Sequence, residues 1–125
     1  MQLVPEDDVA TQTNPAWRIP TKEDFVELEA GTTDSWVTNY NGISGLKGRV
    51  FTSKVNGNTL FIPAAGFRRN SNISDVGLQC HLWSSSLNLS SPNYAYYLYF
   101  YSGNVSISTN NSTNRCNGLP ICPVC

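Results

Sequence analysis

Charge is what this sequence has least of. Only 14% of its 125 residues are charged, eight basic against nine acidic, and the net charge is -1. Such a balance provides no electrostatic footprint for a phosphate backbone, and nucleic-acid binding is not expected. Long apolar runs are missing as well. No stretch approaches the roughly 18 residues of a membrane-spanning helix, so membrane insertion is not expected. The opening residues, Met1 to Ala10, lack the basic and apolar segments of a signal peptide. Export to a cell surface or a phage virion would then depend on a removed leader, a longer parent protein or a virus particle.

Other absences narrow the chemistry. Calcium-type sugar binding needs clustered hard oxygen ligands. Pro92-Asn93 follows Ser91, so a carboxylate is missing there, and no Trp-Asn-Asp occurs. The single histidine, His81, has no Asp or Cys partner nearby in sequence, which leaves it as a surface contact or a loop residue, with no triad to build. The four cysteines are Cys80, Cys116, Cys122 and Cys125, and they allow three complete pairings. Cys122 and Cys125 have the spacing of a zinc or redox half-site, but no second such pair exists. Ordinary thiols or one structural disulfide are the expectation, with no metal, no cofactor and no enzymatic activity.

Present in quantity are Asn, Ser, Thr and Tyr. The length fits one domain, 1–125, which can bury roughly two thirds of the surface its unfolded form exposes. Residues up to about 68 hold nearly all the charge and read as scaffold. Leu78, Leu82, Trp83, Leu98, Phe100, Val105 and Ile107 punctuate the polar second half and predict a packed core there. Trp17, Trp36 and Trp83 are read as core residues.

Local signals predict a short helix over Pro5 to Thr13. A second runs from Thr21 to Ala30, with Thr21 as cap, Phe25, Leu28 and Ala30 on its apolar side, and Gly31 at its end. Asn41-Gly42 and Asn56-Gly57 are turn dipeptides, the second joining Val50-Phe51-Thr52 to Thr59-Leu60-Phe61-Ile62 as a hairpin. Long loops are expected from Arg68 to Gly77 and from Ser84 to Asn93. Helices first and antiparallel strands after them make the class α+β.

The stretch Tyr94-Ala95-Tyr96-Tyr97-Leu98-Tyr99-Phe100-Tyr101 carries the functional signal. Strand side chains alternate between faces. With Tyr96, Leu98, Phe100, Val105 and Ile107 turned inward, Tyr97, Tyr99, Tyr101, Asn104, Ser106 and Ser108 share the outer face. Tyrosine supplies stiff contact area at low entropic cost, and Ser and Asn add adaptable hydrogen bonds, as in antibody paratopes. Trp83, Leu98, Phe100 and Ile107 would hold this platform from beneath. Arg69 is a further contact, whereas Arg68 reads as a structural ion-pair or carbonyl ligand. The Asn-x-Ser/Thr sequons at Asn72, Asn88, Asn104, Asn110 and Asn111 are chance products of composition.

Five motifs now bear on family. They are Trp17-Arg18-Ile19-Pro20-Thr21, Asn56-Gly57-Asn58 leading into Leu60 to Arg68, Leu82-Trp83-Ser84-Ser85-Ser86, Ala95-Tyr96-x-Leu98-x-Phe100, and Gly118-Leu119-Pro120. In this order they resemble the Fibrobacter major paralogous domain, from about Asp7 to Val124. The resemblance implies a C-type lectin-like fold. Some members of that family resemble the variable proteins of diversity-generating retroelements, in which adenine-directed mutagenesis rewrites codons near the C-terminus. By that likeness residues 69–118 are a variable ligand-binding region. His81, Tyr94, Tyr97, Tyr99, Tyr101, Asn104, Ser106, Ser108, Asn110, Asn111, Asn114, Cys116 and Asn117 are the positions that fit. The chain departs from the family at Cys122, where arginine is common. A protein or cell-surface polymer is the implied ligand, bound by a receptor-binding or adhesion protein of a bacterium or phage. The alternative is a structural surface or fimbrial module that packs its tyrosine face on a partner subunit.

Overall fold

Asp8 decides how the chain begins. Its buried carboxylate accepts from the Ala10 and Thr11 amides through Oδ1, and from the Ile19 amide through Oδ2. The expected helix from Pro5 is therefore split at Asp8, into a 3-10 turn, Pro5–Asp7, and helix α1, Val9–Thr13. The computed structural model describes residues 3–91, 93–102, 104–108, 112–114 and 117–124, the backbone alone for 104–108 and 112–114.

Helix α2, Lys22–Gly31, opens on a full capping box: the Thr21 hydroxyl accepts from the Asp24 amide and the Asp24 carboxylate from the Thr21 amide. Arg18 pairs with the same carboxylate. Hydrogen bonding by Arg18 is the main force holding Asp24 down to about 2. Phe25 is buried and Leu28 packs against the core. Ala30, expected beside them, is exposed because it falls past the last inward turn.

Three strands follow, β1 (Thr32–Val37), β2 (Gly48–Ser53) and β3 (Thr59–Pro63), in an antiparallel sheet with β2 central. The Asn56-Gly57 turn joins β2 to β3 as expected, with Gly57 at φ 72° and Thr52 opposite Thr59. Asn41 and Gly42 both take positive φ in the turn after β1.

The expected loop from Arg68 to Gly77 contains a small hairpin, β4 (Phe67–Arg69) and β5 (Asn72–Ser74), turned by Asn70 at φ 54°. The second expected loop starts later than Ser84, because β6 runs over Gln79–Leu87. Its three serines are buried and satisfied. The Ser84 hydroxyl donates to the Tyr96 carbonyl at 2.8 Å, and Ser86 Oγ accepts from the Lys22 amide at 3.0 Å, which anchors the start of α2 to the sheet.

Strand β7, Tyr94–Tyr101, pairs with β6 along one edge. Its other edge is shared by β8 (Asn104–Ser108) and β9 (Ser112–Asn114). The outer edge of β6 is itself covered. Gly66 N donates to Gln79 O, Trp83 N to Pro120 O, Ser85 N to Pro20 O, and Leu3 N to Ser85 O.

Between the two sheets and α2 lies the core of Phe25, Phe51, Ile62, Cys80, Leu82, Leu98 and Phe100. Phe100 meets Phe51 and Trp36 edge-on, at 6.0 and 6.5 Å between ring centres. Cys80 is a small, fully buried thiol in this core, and Cys122 packs against the same cluster. Both are free thiols whose protons burial holds on more tightly. Trp17 and Leu78, expected inside, are 41% and 58% exposed. The helices and antiparallel strands together give an α+β protein. No helix among the described residues is long and apolar enough to cross a membrane.

Candidate functional site

Strand register builds the site. The β6–β7 pairing sets Gln79 opposite Tyr101, His81 opposite Tyr99 and Trp83 opposite Tyr97, while Cys80 and Leu82 face Phe100 and Leu98 in the core. Alternation thus puts Gln79, His81, Trp83, Ala95, Tyr97, Tyr99 and Tyr101 on one face of the sheet. Trp83 belongs to that face, and its expected place beneath the platform is corrected. Parity along β6 from the buried Leu82 requires it.

The hairpin of β4 and β5 closes the face on one side. Gly66 bridges to Cys80 alongside β6, so the next residue, Phe67, lands against His81. Gly66 is at φ 69°, and a Cβ there would come within 2.1 Å of the Ser74 carbonyl oxygen.

An unbroken series of rings results. Phe67 and His81 are 4.6 Å apart, His81 and Tyr97 are nearly parallel at 5.4 Å, His81 and Tyr99 are 5.0 Å apart, and Tyr99 and Tyr101 are 5.8 Å apart. The Arg69 guanidinium lies over Phe67 at 5.5 Å and ends the series. Tyr97, Tyr99 and Tyr101 are half-buried, so each ring contacts its neighbours and still presents surface.

Electrostatics keep this face neutral at its centre. His81 Nε2 lies 2.9 Å from Gln79 Oε1, a pairing in which the imidazole N–H donates. Burial lowers the His81 pKa, against the opposing pull of Asp75, so the ring is neutral at pH 7. Burial raises that of Tyr99, helped by Tyr101, Tyr97 and Asp75, so its phenol remains a donor. The arrangement offers stacking surface and neutral hydrogen-bonding groups. Among the described residues, no three His, Cys, Asp or Glu side chains gather to hold a metal.

The remaining candidate residues are distributed unevenly. Register sets Ser108 opposite Tyr99 and Asn104 opposite Tyr101, with Ser106 between them on β8. Asn114 is opposite Tyr94. Tyr94 is exposed but shares the parity of Tyr96 and Leu98, so it belongs to the opposite face at the strand's end. Tyr96, expected inside, is half-buried with the Lys22 ammonium 4.4 Å above its ring. Asn117 is 8% exposed, so it adds little surface where a contact residue was expected. Arg68 is exposed and joins Gly118 through paired backbone hydrogen bonds. Asn110, Asn111, Cys116 and Cys125 lie outside the described residues, as do the side chains of Val105 and Ile107.

Phe67 and Gln79 are site residues absent from the expectations, and Trp83 was expected only as support beneath the face. Counting two positions either side of His81 finds Gln79 and Trp83. Phe67 has no such local signal, since a bridge between distant segments places it. No family model matches the chain, nor does any curated protein or solved structure.

Proposed function

We propose that this chain is a ligand-binding display domain of C-type lectin-like fold, a retroelement-diversified receptor-binding or adhesion protein of a bacterium or phage. The observation that carries the reading is the ring series from Phe67 through His81 to Tyr97, Tyr99 and Tyr101 on one sheet face. Large, stiff, amphipathic side chains on a rigid sheet are suited to contact, and a buried layer directly beneath them holds their backbone still. The separation of roles within β7 supports diversification: Leu98 and Phe100 are fully buried, while the residues alternating with them carry none of the central packing. The α+β order of elements and the five motifs that resemble the Fibrobacter major paralogous domain support the fold. A protein or cell-surface polymer is the ligand class.

Sequencing the codons for residues 69–118 across one natural population tests this. Variation is expected at His81, Tyr97, Tyr99 and Tyr101 in adenine-containing template codons, with Leu82, Leu98 and Phe100 constant. An invariant face would overturn diversification.

A structural surface or fimbrial module is the second reading, favoured by Ile73, Val76 and Leu78, which are 66%, 63% and 58% exposed. They lie in and just after the hairpin that carries Phe67. Sedimentation of the isolated chain separates the readings, since a stable oligomer supports the module and a monomer supports free display.

A further inference from the structure

The tyrosine side of β7 does not continue to its N-terminal end. Where alternation would put the next large ring, the chain has Ala95, and the face steps down into a cleft of about 300 Å³. Its walls are Leu3, Ile19, Leu87, Leu119 and Ile121, with Trp83 between the cleft and Tyr97. Val9, 54% exposed, borders it on the helix α1 side.

The lining is mostly aliphatic, and its polar neighbours are already engaged. Ser84 Oγ donates to the Tyr96 carbonyl, the Ile19 amide to Asp8, and the Leu3 amide to Ser85 O. The Trp83 indole N–H differs. No acceptor for it is found among the described residues. The site therefore combines an apolar recess, with Trp83 in its wall, and the ring face beside it.

We infer that the cleft is an anchor pocket for one aliphatic or aromatic side chain of a polypeptide ligand, whose adjacent backbone carbonyl accepts from the Trp83 indole. This rests on the binding role of the tyrosine face and names protein as its ligand class. The size suits one side chain, near the lower limit of small-ligand pockets. The lining disfavours a sugar ring, whose hydroxyls would lose water and find few partners. A side chain buried beside a stacked aromatic face is the arrangement of an interface hot spot.

The test is nitrogen-15 NMR titration of the intact chain with N-acetyl-leucine methylamide, compared with N-acetyl-glycine methylamide and methyl β-glucoside. A saturable shift of the Trp83 indole N–H is expected with the leucine probe, with affinity about tenfold or more above that of the glycine probe. Ala95→Leu should fill the recess and abolish the shift while leaving the Tyr99 ring signals in place. Val9→Trp narrows the mouth from an exposed position, and keeps the test valid where Ala95→Leu fails to fold. An equal response to the glucoside, a shift that survives in folded pocket-filled variants, or no saturable shift with the leucine probe overturns the proposal. Invariant population codons would instead overturn diversification and leave the pocket result standing.

Discussion

The Arg49 guanidinium donates to the Tyr101 carbonyl at 2.8 Å from one nitrogen and to Asp34 Oδ2 at 2.7 Å from another. Arg49 is 1% exposed. A single buried cation therefore joins β1 and β2 to the end of the tyrosine strand.

Removing that cation should be costly in both sheets at once. Arg49→Met is expected to destabilise the fold by about 3 kcal/mol, at the lower end for a broken buried pair because Asp34 retains some contact with water. Asp34→Ala, which removes the carboxylate beside the buried charge, should cost at least as much. Urea unfolding checks both, and a near-neutral Arg49→Met would show that the link is dispensable.

The two sides of β7 should respond differently to truncation. Leu98→Ala removes a fully buried side chain and should cost about 2–5 kcal/mol. Tyr99→Ala loses ring contacts with His81, Tyr97 and Tyr101, which predicts a loss of about 1 kcal/mol. Equal losses on denaturant unfolding would contradict the facing.

Acid should release the start of α2 in a defined window. Asp24 has its pKa lowered from 3.8 to about 2, chiefly by the Arg18 hydrogen bond. A depressed carboxylate contributes stability above its unfolded value, and that contribution is lost as pH falls through the folded one. Asp24→Asn should therefore flatten the stability curve between about pH 4 and 2, and cost about 1 kcal/mol at neutral pH after allowance for the exposed Arg18. Thermal melts across that range provide the comparison.

His81 gives a second, milder acid response. Its pKa lies below the usual 6.5 because burial disfavours the imidazolium. The unfolded chain binds the proton more readily, so stability should decline as pH falls below about 6.5 and down through the folded value. His81→Phe keeps a ring against Phe67 and Tyr97 and should remove that slope. Proton NMR titration of the imidazole checks the sign directly.

Gly66→Ala should disrupt both stability and the site. The new Cβ would meet Ser74 O at 2.1 Å and Val76 N at 2.8 Å, at a φ of 69°. A loss of about 2 kcal/mol or more is expected on unfolding, together with loss of the nuclear Overhauser contact between Phe67 and His81.

What the sequence disclosed and what it hid follow from range. Leu98 and Phe100, the Thr21 cap and the Asn56-Gly57 turn were legible because alternation, capping and turn chemistry act between residues close in the chain. Trp83 was misplaced because aromatic size suggested core, whereas its facing is set by the register between β6 and β7. Asp8 binds the distant Ile19 amide as well as its own helix, and no short pattern announces the resulting break. Arg49 looked like scaffold charge, since its Tyr101 partner lies on another sheet. The hairpin of β4 and β5 was hidden because its strands are only three residues each, too short for alternation to stand out, and Asn70, not glycine, turns it.

The covered edge of β6 has a consequence for self-association. An eight-residue segment as aromatic and uncharged as Tyr94 to Tyr101 would, in an exposed strand, be a template for intermolecular stacking into fibres. Here β7 has neighbours on both edges, and the chain at Gly66, Pro120, Pro20 and Leu3 occupies backbone positions along the flank of β6. The stickiness of β7 is thereby confined to its side chains and kept from its backbone.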